Sequence, residues 1–569
     1  MYYIIPMCLT YLVKISIHLL ACFLLFDFCA LLSANDSNTS AQKADEVMKI
    51  EVSPDPKEES FKPKSWVFVG VTKFPVEELE QLLEKFIDQP ITFSGLSKVT
   101  AVIEKKYELN GNIARAVIPP QDITAGVVKI EVVEGRFGKV IFDPTGSSSV
   151  KESIVLSLLN SQISSGQLYE ASDFDRRLLV ADDLPGVSLT GFLQSSQKPA
   201  HVDLVVKSSK EPAYIADLAA DNANSRSLGS EKVSFSGMLV SPFQFGETLA
   251  LQTLKSKGSR YGRFSFGFPV GARGWKMNLN VSRMNYNVVA PELKSLDISG
   301  NVSEEGLSLR YPIIRSREGN LYSTLSYDHR EYSTTVGGAV QKDYSIDNTK
   351  VQFSANFFDK FLKGGANSAS FSFTHGKAEG YNVNKNYHTL LNYTLTRQQS
   401  FSEKLSLFLS LTGQYGVDVS SSNAQQISFK PKDSDKETVS DQEYLDSAEN
   451  FSLGGLGGIR AYPSGEASGP QGQKLSAEFR YLAAKSLIIK PFYDWGMVEK
   501  RAPTSFGPSE YEISGAGVST SWSTPIGFSL QATYARRIGN NPNPDPNTGF
   551  DSDGTLEKNR WWIVLARTF

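Results

Sequence analysis

Trp275-Lys276-Met277-Asn278-Leu279-Asn280-Val281-Ser282 alternates apolar and polar residues without a break. Successive side chains of a strand point to opposite faces, so this run puts Trp275, Met277, Leu279 and Val281 on one face and Lys276, Asn278, Asn280 and Ser282 on the other. The same texture returns with Ala369, Phe371 and Phe373 against Ser370, Ser372 and Thr374, and with Leu391, Tyr393 and Leu395 against Asn392, Thr394 and Thr396. Leu405, Leu407, Leu409 and Leu411, and later Phe528, Leu530, Ala532 and Tyr534, repeat it, and no helical period persists after Pro212. A large soluble sandwich also alternates. Strands of roughly 10 residues with one aromatic-rich face and one polar face, behind an apolar leader, fit a transmembrane antiparallel barrel better. At about 22 residues per strand and connection, the chain from 211 to 569 holds roughly sixteen strands.

A barrel in lipid has to close, because an open edge leaves backbone groups unpaired at several kcal/mol each. The last stretch, Trp561-Trp562-Ile563-Val564-Leu565-Ala566-Arg567-Thr568-Phe569, supplies a closing strand with Trp561, Ile563, Leu565 and Phe569 on one face. Arg567 interrupts that face, and near the membrane boundary it snorkels at roughly 0–1 kcal/mol. At the other end, residues 1–34 are apolar around a single Lys14 and reach small residues at Ser33-Ala34, which reads as a signal peptide cut near Ala34, with a retained anchor as the alternative. All three cysteines lie there, at Cys8, Cys22 and Cys29, so the exported chain is expected to hold no disulfide. Residues 35–64 are a polar, proline-containing linker.

Between linker and barrel the texture is mixed. A strand at Trp66-Val67-Phe68-Val69, helical spacing in Val76–Phe86 and Leu96–Leu109, and strands at Ile113–Ile118 and Val127–Glu134 make a small α+β module over 65–137. The order β-α-α-β-β repeats over 138–210. The alternating strands Val127–Glu134 and Val202–Lys207 are expected to offer pairing edges to an extended peptide, with Val128, Ile130, Val132, Val202, Leu204 and Val206 as contact residues.

Chemistry-bearing constellations are sparse. The five histidines show no metal-ligand spacing, no nucleophile elbow or phosphate loop occurs, and Asp328-His329-Arg330, in an expected strand, reads as part of a lumen or surface face, with a catalytic dyad as the alternative. Neither enzyme activity, a metal nor a cofactor is expected. The net charge of −3 with no basic cluster argues against nucleic acid.

One long loop, 453–474, stands apart. Gly454-Gly455-Leu456-Gly457-Gly458 leads into Ile459-Arg460-Ala461-Tyr462, and further on comes Phe492-Tyr493-Asp494-Trp495-Gly496. The reading is a lock between loop and barrel wall: Arg460 meets Asp494, which shares an inward face with Phe492 and Gly496, while Tyr462 packs on Phe492. Two unpaired solvated charges on an ordinary surface loop are the alternative.

Together, Ala116-Val117-Ile118-Pro119-Pro120-Gln121-Asp122, Gly126–Gly135, the Ile-Arg-Ala-Tyr loop and the Phe-x-Asp-x-Gly strand closely resemble the two-partner-secretion transporters, the hemolysin secretion/activation family. The resemblance implies two polypeptide-transport-associated (POTRA) domains in the periplasm and an outer-membrane barrel of sixteen strands whose thirteenth carries Phe-x-Asp-x-Gly. It implies a large secreted exoprotein partner, of adhesin or cytolysin type, captured unfolded and exported without ATP. Outer-membrane lipid and the barrel-assembly machinery, through the terminal Phe569, complete the expected partners. A barrel-assembly or insertion component, which shares the loop and strand motifs, is the alternative. Ala461 departs from the family's Gly, and if that position has a positive φ it is strained by about 1 kcal/mol or more.

Overall fold

The computed structural model describes residues 60–569 apart from 144, 162–163, 382, 418–419, 422–443, 500–509, 543 and 546–547. The expected signal peptide and nearly all of the linker lie outside the described residues. The described chain divides into two compact units that meet between Glu211 and Pro212.

The larger unit is a closed barrel of sixteen antiparallel strands in chain order, from Tyr214–Asp221 to Asn559–Thr568. Phe492, Asp494 and Gly496 lie on the thirteenth strand, Leu487–Glu499. The alternation seen in sequence sorts the wall as lipid requires. Trp561, Ile563 and Leu565 are 61%, 50% and 48% exposed on the outside, joined by Phe264, Leu279, Val281, Leu325 and Phe373. Lys276, Asn278 and Asn280 fall on the inner face. The guanidinium of Arg567 lies 4.7 Å from the Phe528 ring centroid and 4.5 Å from that of Phe569, so this outward cation is covered by aromatic faces.

The ring closes through five paired residues, Asp217–Asp221 against Val564–Thr568. Beyond them Asn222 continues the ladder with its side chain, accepting from Ile563 N at 2.8 Å and donating to Trp561 O at 3.0 Å. Wall height is uneven. The first three strands have 8, 9 and 9 residues, whereas the sixth to tenth, within 298–400, have 17 to 21.

The smaller unit holds the two modules. The first runs β1 (Ser65–Val69), α1 (Val76–Leu83), α2 (Phe93–Leu109), β2 (Ala114–Val117) and β3 (Val127–Glu134). The second repeats it as β4 (Arg136–Phe142), α3 (Glu152–Leu159), α4 (Ala171–Asp182), β5 (Ser188–Ser195) and β6 (His201–Ser209). Thr92 starts α2 by accepting Gly95 N at 3.1 Å on its hydroxyl, and Leu96, Val99, Ile103 and Tyr107, spaced at helical intervals, pack on Val128, Ile130 and Val132. The motif at Pro119-Pro120-Gln121 also has a local cause. Proline cannot extend the β2 ladder, and the Gln121 amide takes over, accepting from Lys129 N at 2.7 Å and donating to Lys129 O at 2.6 Å.

The pairing edges expected on β3 and β6 are corrected by this topology. The sheet orders are β1-β3-β2 and β4-β6-β5, so the last strand of each module lies at the centre, parallel to the first strand and antiparallel to its predecessor. Val128, Ile130 and Val206 are 0% exposed, Val132 2% and Leu204 5%, while Val202 is partly covered. Alternation reports a half-buried strand and carries no information on whether its edges are taken. Of the true edge strands, β2 gives Ala116 N to Glu104 Oε1 at 2.9 Å, and β5 gives Leu189 N to Asp182 Oδ1 at 2.6 Å. Beyond Leu189, β5 is largely exposed, with Phe192 50% and Leu193 40% accessible.

The modules share a joint: Ala171 N donates to Gly111 O at 2.7 Å, Asn112 Nδ2 to Tyr169 O at 2.8 Å, and Tyr169 N to Gly135 O at 2.9 Å. Next to it Glu134 is buried. Burial raises its pKa, but hydrogen bonds from the Thr72 hydroxyl and amide, the Tyr107 hydroxyl (2.7 Å) and the Lys73 amide (2.9 Å) outweigh that and hold the carboxyl below its ordinary 4.5. A depressed native pKa gives stability that is present above the ordinary value and lost as pH falls through the native one. In thermal melts of the 60–211 unit, Glu134→Gln is therefore expected to cost about 1–3 kcal/mol at pH 7 and to flatten the loss of stability below the ordinary pKa. An acid profile identical to wild type would show that Glu134 does not set it.

Candidate functional site

The chain from Tyr444 to Pro470 turns back into the barrel and is fastened to its inner wall. Strand twelve begins at Gln471, so the last residues of the expected loop, Gln471 to Lys474, already belong to the ladder. A two-residue pair, Phe451–Ser452 with Ser468–Gly469, closes the neck of the loop, and Ile459-Arg460-Ala461-Tyr462 sits at its tip.

Arg460 is 7% exposed and Asp494 0%. The guanidinium grips the carboxylate at two points, Nε to Oδ2 at 2.8 Å and Nη2 to Oδ1 at 2.7 Å, and the Arg460 amide adds a third bond to Oδ2 at 3.1 Å. Phe492 lies beneath, its ring centroid 3.3 Å from the guanidinium carbon. The structure thus brings Arg460, Asp494 and Phe492 together as the sequence suggests. Tyr462 is fully buried in the same apolar cluster as Phe492, but the ring face of Phe492 belongs to Arg460, and Tyr462 lies under Arg537, 4.6 Å from its guanidinium. Gly496 lines the seat: a Cβ there would come 2.8 Å from Leu453 Cδ2 and 3.2 Å from Ile459 Cδ1, both loop residues.

Several members of the site were not singled out in sequence. Arg460 Nη1 donates to Glu478 Oε2 at 3.0 Å, Nη2 to Ser476 Oγ at 3.0 Å, and Trp562 Nε1 donates to Arg460 O at 2.8 Å. Arg480 Nε in turn donates to Glu478 Oε1 at 2.9 Å, so two guanidinium groups face two carboxylates. Ser476 and Glu478 are the cross-strand partners of Asp494 and Phe492, and Gly515 and Gly517 are their partners on the other side. A Cβ on Gly517 would come 2.7 Å from the Phe492 ring. These residues become legible only once the strand register is known. The one sequence cue was Gly515-Ala516-Gly517 at the spacing of Phe492-x-Asp494.

Two further fastenings hold the loop. Glu466 accepts from Asn541 Nδ2 at 3.0 Å and Ser552 N at 2.8 Å, and Arg537 pairs with Asp551, so the loop is tied to the connection before the last strand. On the approach, Arg330 Nη1 donates to Glu449 Oε1 at 2.8 Å, and Tyr344 OH to Asp446 Oδ1 at 3.1 Å. Asp328 and Arg330 face inward, while His329 points outward to Asp347 at 2.8 Å, so the Asp-His-Arg run forms no shared site.

Ala461 is unstrained. Positive φ among the non-glycine residues of the described loop falls on Ala467, at 56°, while Gly455 and Gly465 take up the other left-handed turns. The Ala461 methyl lies against Gly515, where the absence of a side chain leaves room for it.

Comparison with known proteins matches both units. Residues 61–135 match the POTRA domain of ShlB type, and residues 200–522, more than half of the chain, match the haemolysin secretion/activation protein ShlB/FhaC/HecB. The chain is 20% identical to the heme/hemopexin transporter protein HuxB of Haemophilus influenzae over 516 residues, 87% of this chain and 84% of that one. Its fold is similar to that of CdiB from Escherichia coli, with a TM-score of 0.69 at 16% identity over 95% and 97% of the two chains. It is also similar to BamA from Haemophilus ducreyi lacking POTRA domains 1–3, with a TM-score of 0.50 at 14% identity over 90% and 100%.

Removing one partner of a buried ion pair costs roughly 3–5 kcal/mol, because the other is left uncompensated. Arg460→Ala leaves the fully buried Asp494 without a cation, while Glu478 keeps Arg480; Asp494→Ala leaves Arg460 with Glu478, so the first is expected to impair export more, and the double variant to be little worse than Arg460→Ala alone. Export assays, with heat-modifiability in gels to confirm an assembled barrel, check this; losses that add would mean the residues act separately. Ala467→Gly relieves left-handed strain and is expected to stabilise the docked loop by up to about 1 kcal/mol, read as slower protease cleavage of the loop. Faster cleavage would contradict it.

Proposed function

Since this chain belongs to the haemolysin secretion/activation family of two-partner-secretion outer-membrane transporters, we propose that its POTRA modules capture an unfolded exoprotein and that its barrel passes that protein outward without ATP. The family implies a large secreted partner. Among the relatives, HuxB is named for heme/hemopexin transport; the adhesin or cytolysin type of the cargo here rests on the family resemblance alone. The observation that carries the reading is that one chain holds both a POTRA module of ShlB type and the barrel of the same family.

Capture by strand addition is supported at β5 rather than at the central strands. Its outer half, Thr190–Ser195, is exposed apart from a partly covered Gly191, and Phe192 and Leu193 present apolar side chains to an incoming extended segment. Passage without ATP is consistent with a sequence lacking a phosphate loop and with folding of the cargo outside as the driving force. For passage the loop held by Arg460 has to leave or shift, and several separate fastenings make that a switch between states rather than a gradual loosening. The chain is accordingly read as non-enzymatic. BamA shares the fold, so a role in barrel insertion is the rival; the ShlB-type POTRA match favours secretion.

Deleting 65–135 is expected to abolish export of the cargo while leaving a heat-modifiable, membrane-inserted barrel, and Phe192→Asp to lower export at least severalfold. Normal export by the deletion would overturn capture by the modules. Loss of other outer-membrane barrels in the deletion strain would favour the insertion reading.

A further inference from the structure

On the outer face of the third, fourth and fifth strands, three cations stand together without counter-charge. Lys255 is the direct cross-strand partner of Arg260, Arg260 is the partner of Asn285, and Arg283 is two residues before Asn285 on the same face. Like charges directly opposite each other on a sheet repel, and all three side chains are exposed. Among the described residues none of the three has an ion-pair or side-chain hydrogen-bond partner. The acids nearest in register on this face are Glu231, two residues before the Lys255 partner Val233, and Glu305, the partner of Val281, and neither forms an ion pair with the three cations; Glu331 lies a further strand away. Other outward-facing charges have partners: His329 with Asp347, Lys377 with Glu379, and Arg567 with two aromatic rings.

Their height on the wall is fixed. A tilted strand crosses the apolar layer in about 9–11 residues, and the third strand, Thr248–Ser256, has 9. Lys255, its penultimate residue, therefore stands at the headgroup level of the outer leaflet. Directly membrane-ward is a mainly apolar groove of about 680 Å³ lined by Leu249, Phe264, Phe266, Leu279, Val281 and Leu307, with Glu305 and His329 also in its lining. At the cations themselves a recess of about 420 Å³ is lined by Lys255, Lys257, Arg260 and Asn285.

We propose that this stretch of wall is a binding site for a phosphate-bearing lipid of the outer leaflet, with Lys255, Arg260 and Arg283 holding its headgroup phosphate and the groove holding an acyl chain. Cations matched to phosphate oxygens, with apolar surface continuing below them, suit an amphiphile better than a free anion, which has no use for the groove.

The test uses the full-length protein in detergent and bis-phosphorylated lipid A as the probe, with bound lipid counted by native mass spectrometry. At roughly fivefold for each cation near a charged headgroup, the combined Lys255→Gln, Arg260→Gln and Arg283→Gln variant is expected to bind about a hundredfold more weakly. Dephosphorylated lipid A should bind wild type as weakly as intact lipid A binds that variant. The charge-retaining pair Lys255→Arg and Arg260→Lys should bind as wild type does, and heat-modifiability in gels confirms that each barrel is folded. Equal lipid A binding by wild type and the glutamine variant, or equal binding of the dephosphorylated lipid, would overturn the proposal. So would full displacement of lipid A by inorganic phosphate, which would reduce the patch to a free-anion site.

Discussion

A guanidinium withdrawn from water needs its charge balanced where it lies, and Arg460 finds that balance only in one place on the barrel wall. Asp494 alone would neutralise it, but a lone pair inside a barrel recovers little of its desolvation cost. The arrangement goes further: Glu478, Ser476 and the Phe492 ring take the remaining faces of the guanidinium, Arg480 balances Glu478, and Trp562 holds the backbone carbonyl. Because the contacts come from strands twelve, thirteen and sixteen, the loop conformation and the closure of the barrel support each other. Either one distorted removes part of what holds the other.

The same logic explains why the wall beneath the loop is rich in glycine. Gly496, Gly515 and Gly517 carry no side chain where Leu453, Ala461 and Phe492 come closest. The loop is thus seated by omission on one side and by charge on the other, and the apolar cluster around Tyr462 fills the space between.

Much of this is legible in the sequence alone. Alternation assigned the faces of the strands at Trp275–Asn287 and Asn559–Thr568, because lipid and water on opposite sides of a wall force a two-residue period. Arg460 and Asp494 stood out because a charge at the end of a flexible glycine run and a lone acid in an aromatic strand are each unusual. What could not be read was anything that depends on register or strand order. Glu478 and Ser476 look like ordinary polar positions until the twelfth strand is aligned with the thirteenth. Val128, Ile130 and Val206 alternate as edge residues would, yet sit in central strands, because the parallel pairing of the first and last strands of each module leaves no local trace. The concern over Ala461 misplaced the strain by six residues: left-handed geometry belongs to Ala467, and nothing in the sequence separates two alanines of one loop.

The contact between Ala461 and Gly515 has an evolutionary consequence. The two positions share a single methyl-sized volume, so a lineage can keep a side chain at 461 or at 515 and not at both. With glycine at the loop position, the fourteenth strand has room for alanine at 515; with Ala461 in place, that change is closed unless 461 becomes glycine. Substitutions at these two sites, 54 residues apart in the chain by their numbering, are therefore expected to occur in a fixed order, through an ancestor with glycine at both, and chains built by mixing loop and wall from different lineages will fail when each contributes its alanine.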